Sequence, residues 1–247
     1  MIPKIIHYCW FGGNPLDEKS KRCIASWKKY FPNYEIKEWN EHNFDISSCQ
    51  YAREAYKSKK WAFVSDYARF KILYKYGGVY FDTDVEVIKD FSPILEKGAF
   101  MGCERKATES CVAVAPGLGL GASPGLDLYK EIIKDYEQSS FYNKDGSINL
   151  YTVVKRATDI LNKHGLKNTN SIQKVACITI YPKEYFCPIN IDTGKLEMTE
   201  NTYSIHHYAG SWVDKKSRLR NRIYQTINKY FGKQIADYIR KVFGNHK

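Results

Sequence analysis

The stretch Tyr76-Gly77-Gly78-Val79-Tyr80-Phe81-Asp82-Thr83-Asp84-Val85-Glu86-Val87 decides how the rest of the chain is read. Two glycines close whatever precedes them, and the apolar, β-prone run from Val79 leads into two carboxylates. Alternate side chains of an extended chain share a face, so Tyr80, Asp82 and Asp84 point the same way. Carboxylates at i and i+2, where a strand gives way to a loop, repel each other unless something compensates them. A hard divalent cation does so, because oxygen ligands suit Mg²⁺ or Mn²⁺. An acidic solvent loop is the plain alternative. The apolar strand weighs against it by setting the pair at the carboxyl edge of a sheet.

Upstream, Phe63, Tyr67, Phe70 and Tyr74 recur at helical spacing. They predict a helix from about Lys60 to Tyr76, which Gly77-Gly78 would close. Within it Asp66 and Arg69 stand at i and i+3, on one face. Such a pair is either a surface ion pair or, half-buried beside a sugar, a holder of hydroxyls. The first apolar run, Lys4 to Trp10, reads as a strand ended by Phe11-Gly12-Gly13. Trp10 is placed either to stack on a flat base or to fill the core. His7 alternates within that strand and reads as a satisfied core residue. A helix over Asp17–Phe31 and a strand over Tyr34–Trp39 complete a βαβ unit.

Downstream, Cys111–Ala115, Val175–Tyr181 and Tyr203–His207 read as strands, and Leu126–Glu137 and Tyr151–Lys163 as helices. The glycine-rich segment Gly117–Gly125 reads as a loop with no assigned role. Strands alternating with helices predict an α/β fold around a mostly parallel sheet, with ligands at the carboxyl ends of its strands.

At 43% hydrophobic residues, the 247-residue chain can bury a core. No run of about 18 apolar residues is present, and the N-terminus lacks the pattern of a cleaved leader. Seven cysteines, an odd number without a Cys-x-x-Cys pair, read as reduced thiols of a cytoplasmic protein. The net charge is +11, and residues 214–247 hold eight of those charges, ten Lys and Arg against two Asp. The rest is near neutral, unlike a nucleic-acid-binding domain. The boundary therefore falls between a domain over 1–213 and a tail over 214–247. In the tail Leu219, Ile223, Ile227 and Tyr230, then Ile235, Ile239, Val242 and Phe243, keep helical spacing around a break at Gly232. A basic amphipathic helix pair lies on an anionic membrane surface or packs its stripes on the domain before it.

Taken in order, IPKIIHYCWFGG (2–13), SDYARFKILYKYGGVYFDTDVEV (65–87) and IHHYAGSW (205–212) resemble glycosyltransferase family 32. That family holds bacterial capsular and lipopolysaccharide sugar transferases and yeast mannosyltransferases, and is similar to the glucosyltransferase domains of the large clostridial toxins. The resemblance implies a GT-A fold, a nucleotide-sugar donor and retaining transfer. It implies that Trp10 stacks on uracil, that Asp66 and Arg69 bind the donor sugar, and that Asp82 contacts ribose and sugar. It further implies that Asp84 ligates metal and that Ser211 and Trp212 lie over the diphosphate. Some GT-A enzymes add a C-terminal histidine ligand. His206 and His207 would face opposite ways in a strand, and His207 is the one expected here.

The expected protein is thus a Mn²⁺- or Mg²⁺-dependent hexosyltransferase using a UDP-hexose. Its acceptor would be a saccharide or lipid-linked saccharide of surface polysaccharide synthesis, and the enzyme would sit peripherally on the inner face of the membrane. A protein acceptor, or a module that binds without catalysis, is the alternative.

Overall fold

The computed structural model describes residues 1–107, 111–209 and 215–244. The strands are β1 (Ile5–Cys9), β2 (Glu35–Trp39), β3 (Gly78–Tyr80), β4 (Val85–Val87), β5 (Phe100–Arg105), β6 (Ala113–Val114), β7 (Leu120–Ala122), β8 (Gln173–Val175), β9 (Ile178–Tyr181) and β10 (Ser204–His206). The helices are α1 (Glu18–Tyr30), α2 (Gln50–Lys57), α3 (Trp61–Tyr76), α4 (Ser92–Leu95), α5 (Asp127–Glu137), α6 (Val153–Lys163), α7 (Lys183–Phe186), α8 (Lys215–Phe231) and α9 (Lys233–Gly244).

The main sheet runs β2-β1-β3-β7-β5-β9-β8, with β6 on β5. β1 is parallel to β2 and β3, and β5 to β9, while β7 is antiparallel to both β3 and β5. Hence β2, β1, β3, β5 and β9 all point one way, and their carboxyl ends share one edge. Side chains alternate across it: Ile6, Val79 and Phe81 enter one apolar cluster with Trp27 and Phe91. Cys9 and Tyr80 enter the other, with Phe63, Val64, Tyr67 and Phe70 of α3. A helix apolar around most of its circumference has to be buried, and α3 is, with Phe63, Tyr67, Phe70 and Leu73 all shielded.

Local chemistry sets the ends of these elements. Asp17 caps α1 by accepting from the Ser20 N–H at 2.8 Å. Gly77 ends α3 with its N–H on the Leu73 carbonyl at 2.8 Å. Gly78 has to be glycine: its φ is +99°, and a Cβ there would meet the Ile5 carbonyl at 2.6 Å. The buried Trp27 indole donates to the Val85 carbonyl at 2.8 Å and ties α1 to the strand beyond the two aspartates.

Two expectations change, and two elements are unforeseen. The glycine-rich segment is no mere loop. Leu120–Ala122 is the strand between β3 and β5, and Gly119 and Gly121 leave room for the rings of Phe81 and Phe100. Val175–Tyr181 is a hairpin, turned by Ala176 and Cys177 at φ +47° and +64°. No glycine or asparagine marks that turn, so the run reads as one strand. The helix α2 and the strand β5 carry too mixed a pattern to be foreseen.

In the tail α8 and α9 pair, as the spacing predicts. Two hydrogen bonds tie α8 to the rest: Gln225 Nε2 donates to the Ile191 carbonyl at 2.9 Å and Asn228 Nδ2 to the Asp192 carbonyl at 3.0 Å. Leu219, Ile223, Tyr230, Phe231, Ile235 and Tyr238 are exposed rather than packed on the main body. Among the described residues no helix is long and apolar enough to cross a membrane.

His7 proves to be a fully enclosed core histidine. Its Nε2 pairs with the Gly77 carbonyl at 2.9 Å, and its Nδ1 accepts from the Trp39 indole at 3.1 Å. Burial first, helped by the charge of Lys37, lowers it to about 4. Between its ordinary 6.5 and about 4 the unfolded chain therefore binds the extra proton, so acid in that window destabilises the fold. The loss expected is on the order of 3 kcal/mol. Thermal melts from pH 7 to pH 4 should show a shallower fall for His7→Gln than for the wild type; parallel profiles would refute this.

Candidate active site

The site sits at the carboxyl end of β3. Beyond Tyr80 the chain leaves the sheet, and the Asp82 N–H finds the Gly117 carbonyl at 3.3 Å. The Tyr80 hydroxyl donates to Asp82 Oδ1 at 3.0 Å. Arg69 reaches from α3 under both, its Nη2 2.8 Å from Asp66 Oδ1 and 3.2 Å from Asp82 Oδ1. Its plane covers the Tyr80 ring at 4.9 Å. Asp66 and Arg69 are thus not a surface pair: the arginine side chain is 3% exposed and the aspartate 13%. Burial pushes Asp66 up to about 7 against the pull of Arg69. Burial also raises Asp82, with Arg69 opposing and Asp84 adding to the rise.

Asp84 takes a different set of partners. Its Oδ1 lies 3.2 Å from His206 Nε2, and its Oδ2 accepts the Ala209 N–H at 2.8 Å. Burial alone would raise its carboxyl, but His206 and that N–H outweigh it and hold it at about 2. Burial works against the His206 cation too, yet Asp84, Asp82 and Glu104 raise it overall. The antiparallel pairing of β10 with β4 sets His206 opposite Val85 and so delivers the imidazole to Asp84.

This corrects the histidine expected. The His207 ring is turned to the surface, its Nε2 2.8 Å from Glu86 Oε2, and only its backbone N–H reaches Asp84, at the carbonyl oxygen at 2.9 Å. Residues 83 and 84 form a turn, so the strand pleat does not carry through to Asp84, and the partner on the next pleat position of β4 is Glu86. Among the described residues, Asp82, Asp84 and His206 can each offer one ligand atom within 4.8 Å of the others. Two carboxylates and an imidazole suit a divalent first-row cation, and the nitrogen ligand favours Mn²⁺ over Mg²⁺. Among the described residues, the buried His206 Nδ1 and Arg69 Nη1 atoms have no hydrogen-bond partner, which fits a polar ligand at this site.

Trp10 is half-buried where β1 ends, its indole donating to the Asn14 carbonyl at 2.6 Å. Beside it, over the ends of β1 and β2, opens a cleft of about 590 Å³ walled by Gly12, Gly13, Glu41, Tyr56 and Trp61. The Gly12 N–H donates to Glu41, and Tyr56 and Trp61 pack with ring centroids 4.9 Å apart. Sequence reading missed Glu41, Tyr56 and Trp61. Of these only Trp61, an aromatic in the first turn of α3 one turn before Ser65, left a signal. Ser211 and Trp212 lie outside the described residues.

Comparison with known proteins agrees with this geometry. Residues 17–101 match the model of the glycosyltransferase sugar-binding region containing DXD motif. An inositol phosphoceramide mannosyltransferase of Schizosaccharomyces pombe is 33% identical over 108 residues, which are 40% of this chain and 29% of that protein. An uncharacterized glycosyltransferase of Acanthamoeba polyphaga mimivirus is 29% identical over 223 residues, 86% of this chain and 84% of its own. The chain spans about a third of the length of two such yeast relatives, 29% and 33%. The solved PaToxG glycosyltransferase superposes with a TM-score of 0.50 at 20% identity, over 66% of this chain and 69% of its own. The fold is the GT-A fold, and the resemblance to family 32 stands.

The glycine-rich segment bears directly on the carboxylates. A Cβ at Gly117 would fall 2.1 Å from Asp82 Oδ2 and 3.2 Å from Arg69 Nη1. Gly117 is not among the positive-φ glycines, so the requirement is for space and not for backbone freedom. Gly117→Ala should therefore displace the Asp82 carboxylate and weaken Mn²⁺ binding by about tenfold or more, since misplacements of ~1 Å are costly at such sites. Calorimetric titration of Mn²⁺ into the variant, with its melting temperature as a control on folding, checks this; wild-type affinity would refute it.

Proposed function

We propose that the chain is a retaining, divalent-metal-dependent hexosyltransferase that uses a UDP-hexose, a reading supported by the match of residues 17–101 to the glycosyltransferase sugar-binding region containing DXD motif. One observation carries the reading: Asp82, Asp84 and His206 converge beside a buried Asp66–Arg69 pair at the carboxyl edge of a GT-A sheet. Asp84, Asp82 and His206 would hold the cation, which would neutralise charge on the leaving diphosphate. Asp66 and Asp82 orient the donor sugar's hydroxyls, and Arg69 reaches the sugar through its unpartnered Nη1. Trp10, with the cleft at Gly12 and Trp61, offers aromatic faces for a base. With retention, the acceptor hydroxyl attacks C1 from the leaving group's own face and passes its proton to the departing phosphate oxygen. That route needs no dedicated protein base.

The acceptor we propose is a lipid-linked saccharide at an anionic membrane surface. Two features support this: the basic helix pair with its exposed apolar side chains, and relatives whose name gives a phosphoceramide acceptor. A pair of this kind lies in the interface plane with its apolar stripe down.

The donor half is tested by substitution. Asp84→Asn and His206→Ala should each lower turnover at saturating Mn²⁺ on the order of 10²-fold, whereas His207→Ala should leave it near the wild-type rate. Trp10→Ala should weaken UDP binding by roughly tenfold to 10²-fold, as lost base stacking would. Loss with His207→Ala in place of His206→Ala would reverse the metal assignment, and GDP bound better than UDP would refute the uridine donor. For the tail, co-sedimentation at low salt should favour anionic over neutral liposomes, and truncation after Asp214 should abolish that preference. Equal binding to both would make the helix pair a packing element.

A further inference from the structure

The carboxyl edge of the sheet bears a second cleft, on the opposite side of the Asp82–Asp84–His206 cluster from Gly12 and Trp61. In the order β2-β1-β3-β7-β5-β9, the first cleft lies over β1 and β2, the cluster at β3, and the second cleft over β5 and β9. Its volume is about 340 Å³. Lys106 lines it just past β5, Lys183 and Glu184 just past β9, and the segment Lys195–Thr199 forms the outer wall.

Short contacts link it to the cluster. Cys187, in the cleft wall, has its Sγ 2.8 Å from the Tyr208 hydroxyl. The Tyr208 ring meets the His206 ring edge-on at 4.4 Å. Glu104, at the end of β5, acts electrostatically on both Lys183 and His206. A molecule seated in the cleft is therefore two side chains from the His206 imidazole.

The lining carries both signs. Lys106 lies 3.7 Å from Glu197, and Glu184 accepts from Asn201 at 2.9 Å. Lys183, a residue only 5% exposed, sits in the field of Glu104. Three lysines that donate and two glutamates that accept, with Glu104 acting on Lys183 from behind the wall, suit the hydroxyls of a neutral sugar. The rim differs: Leu196 and Met198 are 46% and 52% exposed. The bridge between Ile189 and Leu196 closes a loop on which α8 is seated through Gln225 and Asn228. On that helix Leu219, Ile223 and Tyr230 are exposed. Catalytic cluster, polar cleft, apolar rim and apolar helix face thus follow one another, the order in which an amphiphile would be laid out.

We infer that the second cleft is the acceptor subsite and that it takes a glycolipid. The sugar headgroup enters between Lys183 and Lys195, and the apolar chain leaves over Leu196 and Met198 toward the helix pair. The inference rests on the glycosyl-transfer reading. The headgroup hydroxyl forms the new bond to C1 of the donor sugar, the C1–phosphate bond breaks, and the hydroxyl proton goes to the phosphate oxygen.

Calorimetry on the full chain tests this with three probes below their micelle concentrations: dodecyl maltoside, maltose, and dodecylphosphocholine, which keeps the chain without the sugar. Dodecyl maltoside should bind saturably, about tenfold or more tighter than either of the others. Lys195→Glu and Met198→Glu, both at exposed positions, should each weaken it by about tenfold and leave a parallel UDP titration unchanged. Equal binding of dodecylphosphocholine overturns the inference. So does binding that survives both substitutions but is lost with Ile223→Ser and Tyr230→Ser, which would place the amphiphile on the tail alone. Maltoside binding in a wild-type protein that fails to bind UDP would leave a lipid-binding cleft without transfer, and would end its assignment as an acceptor subsite.

Discussion

The buried guanidinium of Arg69 is the constraint on which the rest depends. An arginine side chain 3% exposed within an apolar helix keeps its charge only if carboxylates come to it. Asp66 answers from one turn earlier in the same helix, and Asp82 from the end of the central strand, at 2.8 and 3.2 Å. The trio therefore fixes α3 against β3 and sets the depth at which the chain leaves the sheet. Removing one partner of a buried pair costs about 3–5 kcal/mol, because a charge is left uncompensated. Asp66 and Asp82 are thus structural as well as members of the proposed site, and loss of activity on replacing either would have two readings. Asp84 and His206 lean on each other and on the Ala209 N–H instead. They can be altered without stranding the arginine.

The parts of this arrangement that were legible in the sequence are those set by local spacing. Asp66 and Arg69 are three residues apart on a helix, where periodicity brings them together; Asp82 and Asp84 are two apart just past a strand end, where nearness in sequence keeps them close although the turn at residues 83 and 84 replaces the pleat. Cys23, Ile24 and Trp27 likewise announce the buried face of α1. What stayed hidden is set by packing at long range. Leu120–Ala122 looks like a loop because its glycines are read as turn formers, whereas Gly119 and Gly121 are there to admit Phe81 and Phe100. Tyr56, Trp61 and Glu41 form one cleft with Gly12 only after three elements meet. The choice between His206 and His207 depended on whether the pleat of β4 extends back to Asp84. A turn at residues 83 and 84 stops it, and strand periodicity gives no warning of that.

Strand direction explains why so much chemistry gathers on one edge. The antiparallel β7 does not break the alignment, because two reversals in succession return β5 and β9 to the direction of β3. Its cost is a tight turn over Pro116–Leu118 just ahead of it, and that turn faces the carboxylates. The strand that separates the two clefts is thus also the one whose preceding turn sets how far Asp82 can swing. Gly117 is the contact point, and a single methyl there would occupy the space of a carboxylate oxygen.

The helix pair poses the complementary problem. Ordinary terminal helices bury their apolar stripe on the domain they follow, and α8 has the stripe to do so. Among its described residues, two amide side chains of α8 donate to backbone carbonyls of the preceding loop, and Leu219, Ile223, Tyr230 and Phe231 stay in solvent. Hydrogen bonds of that kind orient a helix while contributing little net free energy, about 1 kcal/mol each. A contiguous set of large exposed apolar residues is uncommon on a monomeric soluble protein. Orientation without burial is what an element needs if its apolar face is reserved for something else, and the excess of Lys and Arg in the sequence of residues 214–247 is what supports the proposal of an anionic surface there.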